Sequence, residues 1–118
     1  MEYALIFAQP VTQFEILADP QKQEAALEPW KIYLAELAEA GIVRGGSRLA
    51  PPWTATTVRR RDGNSSFQDG PFAETREIAS GFIIIDVATL DEALKWAEKS
   101  PSSVTGCTEV RPLIPGPQ

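Results

Sequence analysis

The sequence contains no histidine, and this absence limits the possible chemistry more than any other feature of the composition. Without imidazole there is no Ser-His or Cys-His nucleophile system, and no side chain has an ordinary pKa close to neutrality. Cys107 is the only cysteine, which rules out an intramolecular disulfide and nearly every zinc site. The composition leaves an oxygen-ligated Mg²⁺ or Ca²⁺ open, but no EF-hand spacing or other acidic loop pattern indicates one. We therefore predict no metal and no cofactor, and we assign any acid–base chemistry to carboxylates, Lys, Tyr or Cys107.

The sequence also lacks a basic surface and long apolar runs. A net charge of -5 argues against general affinity for nucleic acid or anionic membranes. No basic, apolar leader follows Met1, and no apolar run approaches the roughly 18 residues that span a bilayer. A chain of 118 residues is the usual size of one domain. We expect a single domain over residues 1–118 that is cytoplasmic, without nucleic-acid or membrane partners.

Hydrophobic periodicity predicts a strand, a helix and a second strand in the N-terminal half. Residues 2–8 are apolar on both faces, which is typical of an inner strand. Asp19-Pro20 predicts the start of a helix and Gly41 its end. Pro29 lies inside that helix and predicts a kink, or two shorter helices that meet there. Residues 41–49 resemble a strand with a bulge at Gly45-Gly46.

A β-hairpin is predicted around Asp62-Gly63, a strong two-residue turn signal. Its strands are residues 54–61 and 64–68, so that Val58 lies opposite Phe67 and Thr56 opposite Asp69.

A strand, a helix and a last strand follow in the C-terminal part. Residues 81–87 alternate in two apolar sets, with Phe82 and Ile84 on one face. Thr89 and Glu92 form a capping box that starts a helix over residues 90–99. We expect the helix to bury Leu90, Ala93, Leu94, Trp96 and Ala97, and we expect a strand over residues 108–114.

The order β-α-β-β-β-β-α-β predicts an α+β fold, an antiparallel sheet with two helices packed on one face. Two helices cover only one face of such a sheet. The strands at residues 3–8 and 82–87 are nevertheless apolar on both faces. Because an identical subunit is the simplest cover for the second face, we predict a homodimer that packs sheet against sheet.

The turn Asp69-Gly70-Pro71-Phe72 has two interpretations. In the functional one, Asp69 is a general base held beside a cleft by a stiff Gly-Pro backbone. A carboxylate acts as a base near neutral pH only when burial or a neighbouring negative charge raises its pKa. In the structural one, Asp69 bonds turn amides, Gly70 supplies an unusual dihedral angle, and Phe72 plugs the core.

Other charged residues also have alternative interpretations. Arg76 either clamps an anionic ligand or belongs, with Glu74 and Glu77, to a solvated loop. Asp86 ends a strand at the edge of an apolar face, where it either has a shifted pKa or begins the turn into the next helix.

Two further features are interpreted as structural. Arg59-Arg60-Arg61 lacks the aromatic platforms of RNA-binding domains, so these arginines are assigned to a solvated hairpin or to acidic groups across the dimer. Cys107 is interpreted as a small packing residue.

The sequence resembles the YCII-related, or DGPF-domain, family over nearly its full length. The resemblance rests on the segments Thr57-Val58-Arg59, Arg61-Asp62-Gly63, Asp69-Gly70-Pro71-Phe72-Ala73-Glu74-Thr75-Arg76-Glu77, Gly81-Phe82, Asp86, Leu90-Asp91-Glu92-Ala93, Trp96-Ala97, Pro101 and Glu109-Val110-Arg111-Pro112. It implies a ferredoxin-like subunit that dimerises into an α/β barrel. A His–Asp pair is suspected as catalytic in related proteins, and it has no counterpart in a chain without histidine.

The resemblance and the carboxylates together give two hypotheses of function. The first is a pocket near the dimer interface that binds or transforms a small polar organic molecule by cofactor-free acid–base chemistry. Asp69 would be the base and Asp86 would modulate its pKa. The substrate-binding set would be Gly70, Pro71, Phe72, Glu74 and Arg76. The alternative is a non-catalytic accessory protein that binds a regulatory partner, such as a sigma factor.

Overall fold

Six strands and four helices make up the part of the chain that the structure describes, residues 1–71, 73 and 75–116 of a computed structural model. In chain order they are β1 (Glu2–Gln9), α1 (Val11–Ala18), α2 (Gln23–Ala40), β2 (Val43–Arg48), β3 (Thr56–Arg61), β4 (Asn64–Asp69), β5 (Ile78–Asp86), α3 (Leu90–Lys99), α4 (Ser102–Thr105) and β6 (Cys107–Pro112). A short 3-10 turn, Pro52–Thr54, precedes β3.

Four of the strands form one antiparallel sheet in the order β2-β5-β1-β6. The strands β3 and β4 pair only with each other, as a separate two-stranded sheet. If this hairpin is set aside, the order is β-α-β-β-α-β with the first strand between the third and the fourth. That topology agrees with a ferredoxin-like fold and confirms the α+β prediction.

The helices α2 and α3 cover one face of the four-stranded sheet. This face carries Tyr3, Leu5 and Phe7 of β1 together with Ile83 and Ile85 of β5. These residues form one core with the buried residues of the two helices, Tyr33, Leu37, Ala93 and Ala97. The core includes an aromatic cluster in which Phe7 and Trp30 meet edge to face, their ring centroids 5.0 Å apart.

The predicted first helix corresponds to α2, and a second, shorter helix precedes it in the structure. The helix α1 had no predicted counterpart, and α2 runs without interruption from Gln23 to Ala40 with Pro29 inside it. The alternative of two shorter helices that meet at Pro29 is therefore wrong, and the kink at Pro29 stays a prediction. The break lies at Asp19, whose carboxylate accepts a hydrogen bond from the Gln21 amide at 2.9 Å. Gly41 ends α2 with φ 68, as predicted.

The capping box at the start of α3 is confirmed. The Thr89 hydroxyl accepts a hydrogen bond from the Glu92 amide, and the Glu92 carboxylate accepts one from the Ala88 amide. Ala93 and Ala97 are buried as predicted, but Leu90 and Leu94 are exposed. The predicted burial of Leu90 and Leu94 is therefore wrong. The side chains of α3 that are buried against the sheet are the small ones of Ala93 and Ala97.

The helix α4 and its serines were not predicted. Ser100 and Ser102 are fully buried, and their hydroxyls lie within hydrogen-bonding distance of Thr108 on β6. Gly106 then brings the chain so close to Ala8 that a side chain would collide with the backbone of β1. These contacts join the end of α3 to the edge strand of the sheet.

The hairpin register is as predicted. Arg61 pairs with Asn64, Val58 with Phe67 and Thr56 with Asp69. Asp62 and Gly63 both have positive φ, 53 and 79, which is the backbone of a type I′ turn. A bulge is also present in β2, but it lies between Val43 and Gly45, one residue before the predicted position at Gly45-Gly46.

The hairpin stands away from the rest of the molecule. Every residue of β4 is exposed, and so are Val58 and Phe67, at 58% and 72% of their surface. The radius of gyration is 16.1 Å, whereas a compact chain of this length is expected to have about 13.5 Å. The molecule is therefore a two-layered body with a projecting arm.

Candidate functional site

The sheet face opposite the helices is an open apolar concavity. We call it the open face. Its centre is formed by Ala4 and Ile6 of β1 and by Gly81, Phe82 and Ile84 of β5. Leu49 and Leu113 close it from the two sides, and it encloses about 350 Å³. The sequence prediction that one apolar face lacks a cover within the chain agrees with this geometry.

The edge strand β6 gives the open face a charged rim. Glu109 lies opposite Ile6 and Arg111 opposite Ala4, so both side chains lie on the open side of the sheet. They form an ion pair of 2.5 Å between Glu109 Oε2 and Arg111 Nε. The open face thus combines an apolar floor with polar groups at one border.

Asp69 lies at the base of the hairpin. It is the last residue of β4, it is exposed, and it lies opposite Thr56. The next residue, Gly70, has φ 92, donates its amide to Ala55 O at 2.8 Å, and accepts a hydrogen bond from the Thr57 hydroxyl at 2.8 Å. The positive φ predicted for Gly70 is therefore confirmed, and the backbone of this corner is fixed on both sides.

Two predicted site residues, Phe72 and Glu74, lie outside the described residues, and the predictions about them stay predictions. Arg76 is exposed, and among the described residues it has no ion pair. Pro71 is half-buried beside Gly70. Within the described part of the chain, neither Asp69 nor Arg76 lines the open face.

Asp86 is far along the sheet from the hairpin base. Because a strand rises about 3.3 Å per residue, Asp86 lies roughly 26 Å along β5 from Ile78, where the chain returns from the hairpin. The Met1 amino group donates a hydrogen bond to its carboxylate at 3.0 Å, and Arg44 lies 3.7 Å away. These groups, the hydrogen bond first, hold the pKa of Asp86 below its ordinary value.

The pKa of Asp86 is therefore shifted, which is one of the two alternatives stated for this residue, but it is shifted downward, so the carboxylate is a weaker base. The hydrogen bond with the Met1 amino group and the charge of that group outweigh the desolvation of Asp86, and the charge of Arg44 lowers the pKa slightly further. The carboxylate stays ionised through the neutral range, as a fixed negative charge.

Cys107 is exposed, which contradicts its interpretation as a packing residue. It lies opposite Ala8, and alternation along β1 puts both residues on the open side of the sheet. A hydrogen bond with the Glu77 carboxylate, together with partial burial and the charges of Glu77 and Glu109, raises the pKa of the thiol. Near neutral pH the thiol is protonated and is a weak nucleophile.

Tyr33 is a buried titratable group on the helix side. Its hydroxyl donates a hydrogen bond to Trp96 O at 2.8 Å. Burial, followed by the charge of Glu36, raises the pKa of Tyr33 well above its ordinary value. The phenol is therefore a neutral structural donor that joins α2 to α3.

Sequence reasoning identified the floor of the open face but missed Leu49 and Leu113 at its sides. Leu113 lies two residues after Arg111 and four after Glu109, so strand alternation puts all three side chains on the same face of the sheet. The position of Leu113 could therefore have been predicted from the sequence. Leu49 had no such signal, because it follows the end of β2 and its position depends on a hydrogen bond from its amide to Ser80 O.

Residues 1–71, 73 and 75–116 contain no group of three or more side chains that could hold a metal ion. None of the helices in the same described residues has both the length and the apolar composition required to span a bilayer.

Comparison with solved structures gives a similar fold. The chain superposes with a TM-score of 0.54 on 5-chloro-2-hydroxyhydroquinone dehydrochlorinase (TftG) from Burkholderia phenoliruptrix AC1100, in complex with 2,5-dihydroxybenzoquinone. The alignment covers 98% of this chain and 96% of that chain, at 14% sequence identity. At this identity the likeness shows a shared fold alone.

Comparison of sequences gives the family. An uncharacterized protein of Rhizobium meliloti (strain 1021) is 39% identical over 95 residues, which cover 79% of this chain and 77% of that protein. Residues 1–116 match the YCII-related domain. The chain therefore belongs to the YCII-related family.

Proposed function

We propose that this protein binds or transforms a small polar organic molecule in a cleft that forms when two copies pack open face against open face. The observation that carries the proposal is the uncovered apolar concavity of about 350 Å³ on the sheet. Ligand sites are generally concave, mostly apolar, and bordered by a few polar groups. The open face has this composition, with the charged side chains of β6 at its border.

The homodimer follows from the same apolar surface. Ile6 and Ile84 are half-buried, and Phe82 is exposed, at the centre of a sheet face that no helix covers. A self-complementary face that pairs with its own copy removes this surface from water on both subunits at once. The resulting arrangement would be the dimeric α/β barrel of the predicted fold.

The hairpin base supplies the proposed acid–base groups. Asp69 is the general base and Arg76 orients an anionic substituent of the ligand. Gly70, Pro71, Phe72 and Glu74 would form the rim around them. Asp69 is exposed in the single chain. Burial by a partner copy would remove water from Asp69, and desolvation disfavours the charged form of a carboxylate, which favours its action as a base. No cofactor is required for proton abstraction of this kind.

The structural neighbour supports the choice of ligand class. TftG is described in complex with 2,5-dihydroxybenzoquinone, a flat ring with oxygen substituents. A molecule of this shape can lie on an apolar sheet while its oxygens reach polar groups at the border. For this chain the compound is a reasonable first probe.

The test measures oligomeric state and binding together. Sedimentation velocity at micromolar concentration is expected to show a dimer, and Ile6→Glu is expected to give a folded monomer, because it puts a charge on the apolar floor. Binding of 2,5-dihydroxybenzoquinone, followed by calorimetry, should weaken about tenfold or more in Arg76→Ala and Asp69→Asn dimers. Arg60→Ala and Asp62→Asn, on the same hairpin, are the matched controls and should bind as the wild type does.

Unchanged binding in Asp69→Asn and Arg76→Ala dimers would exclude these residues from the site. A wild-type monomer at micromolar concentration would exclude the interfacial cleft altogether.

A second function is favoured by the projecting hairpin. Val58 and Phe67 form an exposed apolar cross-strand pair beside three arginines. An exposed apolar patch bordered by charge is typical of a protein-binding surface. The protein would then be an accessory factor that holds an acidic regulatory partner, such as a sigma factor. Phe67→Ser should abolish a stable complex with that purified partner and leave the sedimentation of the protein alone unchanged. Retention of the complex in Phe67→Ser would exclude the hairpin as the contact.

A further inference from the structure

A second concavity lies on the helix side of the sheet, away from the open face. The helix α1 contributes Phe14 and Leu17 to its walls, β2 contributes Arg48, and the segment after β2 contributes Pro51. Ser80 of β5 also lines it, and the space measures about 190 Å³. We call it the α1 pocket.

Strand alternation separates the α1 pocket from the open face. Ser47 pairs with Phe82, which lies on the open face, so the next residue, Arg48, points to the opposite side. The Ser80 hydroxyl donates a hydrogen bond to Phe7 O at 3.3 Å, which fixes that side chain. The two concavities are therefore on opposite sides of the sheet, and only Leu49, at the sheet edge, contributes to both.

The walls of the α1 pocket are held in place. Phe14 is buried, and the Leu49 amide extends the ladder between β2 and β5 through its hydrogen bond of 2.9 Å to Ser80 O. A preformed apolar pocket requires little ordering when a ligand enters, which favours binding.

Arg48 is the only residue among those that line the α1 pocket to carry a formal charge. In the described part of the chain no acidic side chain forms an ion pair with it. It is exposed, so its long stem can lie along the apolar wall while the guanidinium lies at the mouth. A planar cation at the mouth of an apolar pocket is complementary to a carboxylate on an apolar body.

The volume of the pocket limits the apolar part of the ligand to about one aromatic ring. An apolar cavity of about 150 Å³ is large enough to hold benzene, and the α1 pocket measures about 190 Å³. From the size, the apolar walls and the single cation, we propose that the α1 pocket binds a small aromatic carboxylate of the size of benzoate. This site is independent of a dimer and of the chemistry at Asp69.

The test is a titration of the ¹⁵N-labelled protein with benzoate at constant ionic strength, followed by amide chemical shifts. Saturable shifts are expected in residues 14–18, 48–49 and 80. Arg48→Gln should weaken binding about tenfold, since it removes the charged donor. Arg44→Gln is the matched control, because Arg44 is an exposed arginine of the same strand that lies beside Asp86 instead. It should bind benzoate as the wild type does.

Two further measurements separate the apolar contribution to the binding affinity from the ionic contribution. Benzyl alcohol, which keeps the ring and lacks the charge, should bind the wild type about as weakly as benzoate binds Arg48→Gln. Leu17→Trp should fill the pocket and abolish the shifts while Arg48 is retained.

The proposal is overturned by any of three results. These are no saturable shift with benzoate in the wild type, equal weakening in Arg48→Gln and Arg44→Gln, or equal affinity for benzoate and benzyl alcohol. Shifts confined to residues 4–6 and 82–84 would put benzoate on the open face and would also overturn it. The proposal for the open face would survive each of the first three results, since it does not involve Arg48.

Discussion

The four-stranded sheet and the hairpin are both antiparallel, and both place apolar residues opposite each other, yet only one of them has a core. In the sheet, Leu5 lies opposite Ile83, and both side chains are buried under the helices. In the hairpin, Val58 lies opposite Phe67, and both are exposed. The difference is the presence of α2 and α3 on one side of the sheet and of no equivalent layer over the hairpin.

This contrast separates two properties that strand patterns are often taken to predict together. Cross-strand pairing is local and follows from the turn and from alternation. Burial depends on a second layer, and that layer comes from distant parts of the chain or from another molecule. A hairpin of two strands is at best marginally stable alone. The arm of this protein therefore depends on its ordered base, where Gly70 bonds Ala55 and Thr57.

The largest expected loss of stability comes from a substitution in the core under the sheet, which is then compared with one in the hairpin. Leu37→Ala removes a fully buried side chain of α2 and should lower the free energy of unfolding by about 2–5 kcal/mol. Leu34→Ala, in the same helix but 47% exposed, should cost less than about 1 kcal/mol. Urea denaturation followed by circular dichroism measures both variants.

Phe67→Ala extends this test to the hairpin. In the monomer it should change stability by less than about 0.5 kcal/mol, because the ring is already in water. A loss as large as that of Leu37→Ala would mean that another surface covers Phe67 in solution, and the contrast between core and arm would fail.

A smaller loss of stability is expected when one glycine of each region is replaced by alanine. A Cβ atom at Gly46 in β2 would lie 2.5 Å from Phe82 O and 2.9 Å from Ile83 Cα, at φ 141. Gly46→Ala should therefore cost about 2–3 kcal/mol, from backbone strain and from a collision that only backbone movement relieves. Gly63 in the hairpin turn also has positive φ, 79, but a Cβ there would meet nothing within 4 Å. Gly63→Ala should cost about 1–2 kcal/mol in thermal unfolding, from backbone strain alone. Equal losses would show that the two strands β2 and β5 have room to separate.

The sequence allowed the elements with strong local signals to be predicted. The hairpin register, the capping box at Thr89 and the end of α2 at Gly41 depend on residues close together in the chain, and all three are confirmed. The short helices α1 and α4 were missed because neither has a cap whose side chain accepts a hydrogen bond. Leu90 and Leu94 were placed in the core wrongly, because periodicity does not reveal how closely a helix approaches the sheet.

The candidate site was less predictable than the fold. The apolar floor could be inferred, because alternation along β1 and β5 assigns each residue to a face. The charge state of Asp86 could not, because it depends on Arg44 and on the Met1 amino group, which tertiary structure brings to the end of β5. The raised pKa of the Cys107 thiol could not be predicted for the same reason, since no local pattern indicates that Glu77 lies beside it.

The smallest expected effect is a change in the reactivity of Cys107, which tests a contact between the hairpin segment and the four-stranded sheet. Glu77 lies in the segment that returns from the hairpin, and Cys107 begins the edge strand β6. The thiol donates a hydrogen bond to the carboxylate and is surrounded by negative charge, so its pKa is raised and less thiolate is present at pH 8. Glu77→Gln removes the nearest charge. It should lower the pKa of Cys107 and speed its alkylation by iodoacetamide several-fold at pH 8.

The pH profile of that alkylation distinguishes a local contact from general loosening. If Glu77 acts on the thiol directly, Glu77→Gln moves the midpoint of the profile to lower pH and leaves the plateau rate at high pH unchanged. Glu109→Gln, whose charge is the weakest of the causes at this thiol, should move the midpoint less. A higher plateau with an unmoved midpoint would mean that the substitution only exposes the thiol. In that case the hairpin and the sheet would not be joined at this contact, and the arm would be anchored by the backbone bonds of Gly70 and its neighbours instead.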